Sequence, residues 1–261
     1  MSQKVAWITG GSSGIGAATA LQLAKEGWIV AITGTSLGKL DILCDKDPKF
    51  LKAYPGDVTK PKNIADLIDT IEQELGPIEL AVLNAGIYNE DTAKTFTASS
   101  LKKHFEVNVF GVAHCLEPLL KKFLERKYGH IAITASFTGY RGLSGAISYS
   151  ASKAALINLA ESLAIELKDT GIQVQVICPG FIKTPMTDKN KFDMPLLMEV
   201  DKAAEELVEG LHSKRFEIIF PWMFCRFAKL LQLLPHRLYI WLIHKLANKF
   251  FAKSAQTKKK A

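Results

Sequence analysis

Residues 5–16 read VAWITGGSSGIG, an apolar run that suits a β-strand, then a glycine-rich turn and the start of a helix. Gly10, Gly14 and Gly16 permit a tight turn and let the backbone approach a phosphate closely. The helix that follows presents free N–H groups and the positive end of its dipole to the same place. A glycine-rich turn by itself is often only a loop, but one placed between a strand and a helix predicts a dinucleotide-binding site.

The alternation of strand and helix continues along the chain. Further apolar, β-rich runs occupy residues 28–33, 51–54, 78–84, 130–136, 172–178 and 216–220. The clearest helical stretches are 15–25, 64–75, 99–124, 149–168 and 202–211. Apolar strands separated by helices indicate a doubly wound α/β fold, in which helices cover both faces of a parallel sheet. Ligands of such folds bind at the carboxyl ends of the strands, so candidate site residues should lie there.

Length and charge divide the chain unevenly. With 261 residues it is long enough for one large α/β domain but not for two. Its net charge of +7 arises in residues 221–261, which contain nine Lys or Arg and no Asp or Glu and leave 24 basic and 26 acidic residues before them. We therefore predict a nucleotide-binding domain over residues 1–220 and a basic, amphipathic helical tail over residues 221–261.

The sequence favours neither a metal site nor a membrane span. The cysteines (Cys44, Cys115, Cys178 and Cys225) lie far apart, without a CxxC pair or metal-ligand spacing with histidine. The first residues enter a strand without the segments of a secretory signal, which favours a cytoplasmic protein. The longest apolar runs of the tail, such as Leu238–Ile243, are far shorter than the roughly 20 residues of a spanning helix.

The end of the second predicted strand concerns cofactor choice. An acidic residue there would bind the ribose hydroxyls of NAD and repel the extra phosphate of NADP, but this sequence has Gly34. Thr35 and Ser36 offer hydroxyls and Lys39 a positive charge to a 2′-phosphate. These residues favour NADP(H), with NAD(H) as the alternative if Gly34 only relaxes the preference.

Two further strand ends suit the adenosine half of a dinucleotide. Asp57 follows the third strand and could accept a hydrogen bond from the adenine amino group, although Asp after a strand is commonly a turn residue. Residues 83–86, LNAG, end the fourth strand with small side chains that let a flat ring lie against the backbone.

The stretch YSASK, residues 149–153, opens a long predicted helix. Tyr149 and Lys153 are four residues apart and share a helix face, so phenol and ammonium project into one place. A cation beside a phenol lowers its pKa and suits it to proton transfer. An exposed Tyr and Lys would give the same pattern, but Ser136, at the end of the 130–136 strand, should lie beside the start of this helix.

In order and spacing, TGGSSGIG, LNAG, VNVFG, Ser136, YSASK and CPGFIKTP resemble the short-chain dehydrogenase/reductase family over roughly residues 4–220. The resemblance implies a three-layer Rossmann fold with a seven-stranded parallel sheet, and hydride transfer between a nicotinamide cofactor and a carbonyl or alcohol, without a metal. It implies that Tyr149 is the general acid, that Lys153 lowers its pKa and holds the nicotinamide ribose, and that Ser136 binds the substrate oxygen. Asn108 would hold a water of the proton relay.

The resemblance also implies the cofactor contacts, which lie in the glycine turn and at the strand ends. They are Gly10, Ser12, Ser13, Gly14, Ile15, Gly16, Thr35, Ser36, Asp57, Val58, Asn84, Ala85, Gly86, Tyr149, Lys153, Pro179, Gly180, Ile182 and Thr184. Members of the family usually pair through the helices that correspond to 99–124 and 149–168, which implies a homodimer or homotetramer. Two features depart from the family pattern: Cys178 stands where Asn is frequent, and the chain continues into the tail.

Two matters are left open by the residues. A non-catalytic nucleotide-binding or scaffold protein could share the fold, although the intact set of Asn108, Ser136, Tyr149 and Lys153 favours an enzyme. Residues 181–200 should form a lid whose apolar members either line a pocket for a lipophilic ketone or pack on the body. Those members are Phe181, Phe192, Met194, Leu196, Leu197 and Met198.

The tail admits two interpretations. Pro235 divides it into two predicted helices, and in the second Arg237, His244, Lys245, Asn248 and Lys249 fall near one face and Tyr239, Ile243, Leu246, Phe250 and Phe251 near the other. Because its cations alternate with apolar residues, we expect no nucleic acid as partner. Trp222, Tyr239 and Trp241 suit a water–lipid interface, which favours a peripheral anchor on an anionic membrane at the cytoplasmic face. The alternative is packing on the body or across a dimer.

Overall fold

The computed structural model describes residues 3–189 and 194–257, with residues 247–257 described by their backbone alone. A seven-stranded parallel sheet runs through it in the order β3-β2-β1-β4-β5-β6-β7. The strands are β1 (Val5–Thr9), β2 (Ile29–Thr33), β3 (Leu51–Ala53), β4 (Ile78–Leu83), β5 (Gly129–Thr134), β6 (Ile172–Pro179) and β7 (Glu217–Phe220). The predicted doubly wound α/β fold is confirmed, and the strand order reverses between β1 and β4, where such folds bind ligands.

Helices cover both faces of the sheet, because the side chains of each buried strand alternate between two apolar layers. The helices are α1 (Gly14–Lys25), α2 (Leu37–Cys44), α3 (Pro61–Leu75), α4 (Ala98–Phe105), α5 (Gly111–Arg126), α6 (Ile147–Glu166), α7 (Val200–Leu211), α8 (Trp222–Leu230) and α9 (His236–Thr257). Within β1, Trp7 enters the layer beneath α3, α5 and α6, whereas Ala6 and Ile8 enter the layer beneath α1 and α7.

One predicted helix, 99–124, is not continuous. The segment Glu106–Phe110 is π-helical and separates α4 from α5. The fully buried Asn108 lies in this segment, and a Cβ on the buried Gly111 would come 2.7 Å from Val58 Cγ2. The π-helical turn therefore lies where Asn108 and Gly111 pack against residues distant in sequence.

The tail begins where β7 ends. Pro235 separates α8 and a short 3₁₀ turn, Leu231–Leu233, from α9, so the predicted division into two helices is confirmed. Cys225 of α8 is fully buried and belongs to the same apolar layer as α6. Within the described part of the chain, no helix is both long and apolar enough to cross a bilayer.

Tyr239 corrects the prediction for the second tail helix. It was expected on an outward face that suits lipid, but it is only 6% exposed and donates a hydrogen bond from its hydroxyl to Gly142 O at 2.9 Å. The reason is a contact with the Arg141 guanidinium, whose carbon lies 4.2 Å from the centre of the Tyr239 ring. Trp222 and Trp241, by contrast, remain exposed.

Candidate active site

A cleft of about 480 Å³ opens at the carboxyl ends of the central strands. All predicted site residues line it except Gly16, Ser36 and Asn108. Gly34 lines it as well, whereas Lys39 is exposed on α2 and is not part of the lining. The sequence reasoning missed further lining residues, which are Thr33, Gly56, Thr59, Ile87, Val107, Thr134, Ala135, Pro185, Met186 and Thr187.

The glycine turn takes the shape that its sequence requires. Gly10 and Gly14 have φ of +63° and +56°, values that other residues rarely adopt. A Cβ on Gly16 would lie 2.6 Å from Gly10 O, so this glycine permits the helix to pack against the turn without itself lining the cleft. Asn84 closes the turn from the neighbouring strand, because its Nδ2 donates to Thr9 O and Gly10 O at 3.3 Å each.

The end of the cleft beyond β2 and β3 carries little charge. Thr35 is exposed at its edge, and Ser36 is the N-cap of α2. Asp57 is the one carboxylate among the described lining residues, and its Oδ1 accepts from both the backbone N–H and the hydroxyl of Thr59 at 2.9 Å. Asp57 is therefore the turn residue that the sequence allowed, and it also faces the cleft.

The lining fits a dinucleotide. The N-terminus of α1 faces the cleft without a capping hydrogen bond from the side chain of Ser13, so its backbone donors point at the place for a pyrophosphate. At the opposite end, the buried Thr134 Oγ1 has no hydrogen-bond partner among the described residues, which suits a ligand atom that this hydroxyl would bind. Gly10, Gly14 and Gly86 keep the backbone between these points free of side chains.

Helix α6 brings Tyr149 and Lys153 to the cleft one turn apart. Lys153 Nζ lies 5.6 Å from the centre of the Tyr149 ring and donates to Thr134 O at 2.7 Å. Burial lowers the pKa of Lys153 to about 8. Burial also raises the pKa of Tyr149 to about 12, and a hydrogen bond with Ser136 opposes that rise. Desolvation is the largest cause of the raised Tyr149 pKa, and the predicted lowering of that pKa by Lys153 stays a prediction.

Ser136 lies just beyond the end of β5. It is 6% exposed and caps the 3₁₀ turn Phe137–Gly139, where its hydroxyl oxygen accepts from Thr138 N at 3.2 Å. Because β5 lies beside β4 and α6 crosses above it, the strand end brings Ser136 to the hydroxyl of Tyr149. The two residues, thirteen positions apart in sequence, thus meet in the cleft.

Asn108 does not line the cleft but forms hydrogen bonds with Ile87, which does. Its Oδ1 accepts from Ile87 N at 2.8 Å, and its Nδ2 donates to Ile87 O at 3.1 Å and to Ser152 Oγ at 2.9 Å. These bonds fasten the segment after β4 to α6. A Cβ on Gly86 would lie 3.2 Å from Asn108 Oδ1 and 3.5 Å from Lys153 Nζ, so a side chain here would crowd Asn108.

Two aromatic neighbours of Tyr149 were not predicted. The Tyr88 ring lies edge-on to it with centres 5.1 Å apart, and the His104 ring does so at 6.5 Å. His104 is fully buried, with Nδ1 2.8 Å from Ser100 O and Nε2 accepting from Asn89 N at 3.2 Å. Neither residue belongs to a motif, and only the tertiary fold brings them to Tyr149.

The described residues among the predicted apolar members of the lid do not line the cleft, and of the two alternatives Phe181 and Met198 favour packing on the body. Phe181 packs its ring against Phe137 at 5.0 Å and is not part of the cleft lining. Met198 forms a bridge with Ile182 and packs against the core, while Leu196 and Leu197 are exposed. Met194 is half-buried, and Phe192 lies outside the described residues. The lid contributes instead through residues just after the PG turn: Ile182, Thr184, Pro185, Met186 and Thr187.

Metal-ligating side chains do not cluster at this cleft. Across residues 3–189 and 194–257, no group of three or more His, Cys, Asp or Glu could hold a metal ion. Cys178, which stands where the family often has Asn, is fully buried beneath the PG turn. Burial raises its pKa to about 12, as expected of a thiol in an apolar layer.

Comparison with known proteins gives concordant matches. The family model for short chain dehydrogenases matches residues 4–194. An uncharacterized oxidoreductase of Myxococcus xanthus is 36% identical over 242 residues, which are 92% of this chain and 96% of that protein. The human 17-beta-hydroxysteroid dehydrogenase 13 is 29% identical over 241 residues, 90% of this chain and 80% of that protein. The solved structure of ElxO with NADP bound has a TM-score of 0.76 and 25% identity, and the match covers 85% of this chain and 99% of ElxO.

Proposed function

This chain belongs to the short-chain dehydrogenase family, and from that membership we propose that it is an NADPH-dependent reductase of lipophilic ketones. As a family member it is an oxidoreductase that acts on CH–OH and C=O groups. The observation that carries the proposal is the convergence of Ser136, Tyr149 and Lys153 in a cleft that fits a dinucleotide.

In the proposed reduction, the phenol of Tyr149 donates its proton to the carbonyl oxygen of the substrate. Ser136 donates a hydrogen bond to the same oxygen, so the negative charge that develops there meets two donors already in place. Lys153 holds the nicotinamide ribose and, when charged, favours the phenolate that remains after proton transfer. The bound nicotinamide supplies the hydride that adds to the carbonyl carbon.

NADP(H) is the cofactor that we propose, with NAD(H) as a weaker substitute. The related ElxO structure contains NADP. In this chain Gly34 places no carboxylate at the end of β2, so nothing there repels a 2′-phosphate. Thr35 lies at the edge of the cleft, Ser36 is the N-cap of α2, and Lys39 lies in the first turn of that helix.

The tail supports a lipophilic substrate and an anionic membrane as partner. The outward side of α8, of the 3₁₀ turn and of α9 carries exposed apolar residues: Trp222, Met223, Phe227, Leu230, Leu233, Leu238, Ile240 and Trp241. Nine Lys or Arg and no acid occupy residues 221–261, and each cation near an anionic headgroup contributes about 1 kcal/mol. We propose that the tail, residues 221–261, lies in the plane of the cytoplasmic face, where it holds the catalytic domain, residues 1–220, near lipophilic carbonyl compounds.

The outer surface of the catalytic domain supports self-association. Phe110 and Leu124, on the 99–124 segment, and Ile147 and Ile165, on α6, expose large apolar side chains that a second copy of the chain could cover. We propose that a second copy covers these helices in a homodimer, or in a homotetramer if the tail leaves a second interface free.

The reaction itself tests the proposal. Purified protein should oxidise NADPH in the presence of ketones, with kcat/KM rising as their apolar chains lengthen. Tyr149→Phe should keep NADPH affinity and lose about 10²- to 10⁴-fold in turnover, because only the transferable proton is removed. Tyr128→Phe is the matched control, since Tyr128 is exposed at the far end of β5. Near-parental turnover by Tyr149→Phe would contradict the assignment.

A further inference from the structure

The tail makes several contacts with the loop that follows Ser136. We call residues 137–142 the serine loop, and we call the tail residues that touch it the tail clamp: Phe224, Lys229, Gln232, Leu234 and Tyr239. The serine loop contains no regular structure beyond the three-residue turn Phe137–Gly139. Its inner side lies directly on the catalytic helix, because a Cβ on Gly139 would come 2.8 Å from Lys153 O. The tail clamp covers its outer side.

The first of these contacts is aromatic packing between the tail and the residue next to Ser136. Phe137, the following residue, meets the ring of Phe224 edge-on with centres 4.9 Å apart. The same two rings both contact Phe181, at 5.0 Å from Phe137 and 5.5 Å from Phe224. Phe137 is therefore enclosed by one ring from the tail and one from the segment after the PG turn.

Tyr140 is held by polar contacts at both its ends. Its backbone carbonyl accepts from Gln232 Nε2 at 3.1 Å, and its hydroxyl donates to Glu217 Oε1 at 2.7 Å. The other oxygen of that carboxylate forms an ion pair with Lys229. The tail thus binds Tyr140 once directly and once through Glu217.

Arg141 makes the largest number of these contacts. Its Nη1 donates to Gln232 O at 2.9 Å and to Leu234 O at 3.3 Å, where the tail turns from α8 to α9. Its guanidinium lies over the Tyr239 ring, and the Tyr239 hydroxyl donates to Gly142 O. Arg141 and Tyr239 therefore join the serine loop to the tail through reciprocal contacts.

We propose that the tail clamp positions Ser136 for catalysis and that Arg141 is the positioning residue on the catalytic side; this inference rests on the proposed function of Ser136. Loops without regular structure exchange among conformations unless other elements hold them. A hydrogen-bond donor that stabilises a developing oxyanion acts only when it is aimed beforehand, and a displacement of about 1 Å can cost 100-fold in rate. The tail is then part of the active enzyme in addition to any role at a membrane.

Full-length variants test this proposal. Arg141→Ala removes both hydrogen bonds and the stacked cation, Arg141→Lys keeps a cation and a donor, and Tyr239→Phe removes only the bond to Gly142 O. Arg237→Ala, which removes an exposed cation of α9, is the matched control. The measurements are kcat and KM for an accepted ketone, the NADPH dissociation constant by fluorescence, and hydrogen exchange of the serine-loop amides.

We expect Arg141→Ala to lower kcat about 10- to 100-fold and to leave the NADPH dissociation constant within about twofold. Serine-loop amides should exchange faster in Arg141→Ala and, to a smaller extent, in Tyr239→Phe, but not in Arg237→Ala. Arg141→Lys should recover part of the lost kcat.

Several outcomes would overturn the proposal. Unchanged exchange of the serine loop in both Arg141→Ala and Tyr239→Phe contradicts the clamp, and faster exchange with unchanged kcat contradicts the positioning role. Loss of NADPH binding in proportion to kcat would show a general structural defect instead. A parent protein without turnover contradicts the proposed function, and the exchange measurement then decides the clamp by itself.

Discussion

The carboxylate of Asp91 accepts hydrogen bonds from both the backbone N–H and the hydroxyl of Ser148, the residue before Tyr149. Asp91 is 2% exposed and its backbone forms a bridge with Ala146, so the segment after β4 is fastened to the first turn of α6. That segment also carries Tyr88, which packs against the Tyr149 ring. One buried carboxylate thus fixes the start of α6 and the segment that packs beside Tyr149.

Asp91→Asn should destabilise the protein and slow the reaction. The amide can accept from Ser148 through only one atom and brings two donors into a site that supplies donors already, so we expect a loss of about 2 kcal/mol in the free energy of unfolding. Urea denaturation measures this loss, and kcat should fall with it because Tyr149 follows Ser148. Glu90→Gln, at the exposed neighbouring carboxylate, should change neither quantity. An Asp91→Asn protein of parental stability would show that the hydrogen bonds between Ser148 and the Asp91 carboxylate do not stabilise the fold.

Gly34→Asp should reverse the cofactor preference. NADPH should bind the parent more tightly than NADH, and a carboxylate at this position would repel the 2′-phosphate. A Cβ at residue 34 would also lie 3.1 Å from Ser12 Oγ, so part of any effect is steric. Gly34→Ala measures that part, and fluorescence titration of both cofactors measures the rest. Equal affinities of the parent for NADPH and NADH would refute the proposed preference.

His130 should make stability depend on pH. Its ring nitrogen lies 2.7 Å from Gln175 Oε1, and burial lowers its pKa to about 4 from an ordinary 6.5. Below pH 6.5 the unfolded chain binds a proton that the folded protein excludes until about pH 4. Stability is therefore lost as pH falls through this window, by roughly 3 kcal/mol in total.

His130→Gln removes the titrating group from that window. Unfolding free energies measured between pH 4 and pH 7 should fall less steeply in this variant than in the parent, because other acidic groups contribute equally to both. His236→Gln, at an exposed histidine, serves as control. Parallel pH profiles of parent and His130→Gln would contradict the prediction.

Binding to anionic vesicles should depend on the exposed side of the tail. Replacing Trp222, Met223 and Phe227 together by Ser should lower the fraction that sediments with such vesicles at least about tenfold, because these exposed side chains would enter the interface. The same replacement of Leu37 and Ile42, exposed on α2, should have no effect. A parent protein that ignores anionic vesicles at low salt would contradict membrane attachment.

Ile165→Glu should weaken self-association. Ile165 is 74% exposed on α6, where the proposed dimer would bury it, and a carboxylate there would face its own copy or an apolar surface. Light scattering at micromolar concentration should show a dimer for the parent and a monomer for the variant. Ile240→Glu in the tail should remain dimeric. A parent protein that is monomeric at this concentration would contradict the proposed dimer.

The layers of the fold could be predicted from sequence because their signals are local. Each strand is an apolar run of a few residues, and the turn at Gly10 and Gly14 carries its own requirement for positive φ. The π-helical segment has no such signal. Asn108, within it, bonds Ile87 and Ser152, which are 21 and 44 residues away. Nothing near Asn108 in sequence indicates those partners.

The tail shows the same limit. Tyr239 and Trp241 suit a lipid interface equally well by composition, yet one packs on the body and the other does not. The difference lies in Gly142 and Arg141, nearly 100 residues earlier, whose carbonyl and guanidinium hold Tyr239. Amphipathic pattern predicts that a face is apolar but does not identify what covers it.

The serine loop and the tail clamp touch in the folded protein but lie far apart in sequence, so the ribosome makes the serine loop first. Tyr239 is translated 97 residues after Gly142, which corresponds to roughly 5 to 20 s at ordinary ribosomal rates. The glycine turn and most strand ends of the dinucleotide cleft are complete before that interval ends. If the tail clamp acts as proposed, a nascent chain gains the means to bind its cofactor well before it gains an ordered Ser136. The chain would then become catalytically active only after its tail has been synthesised.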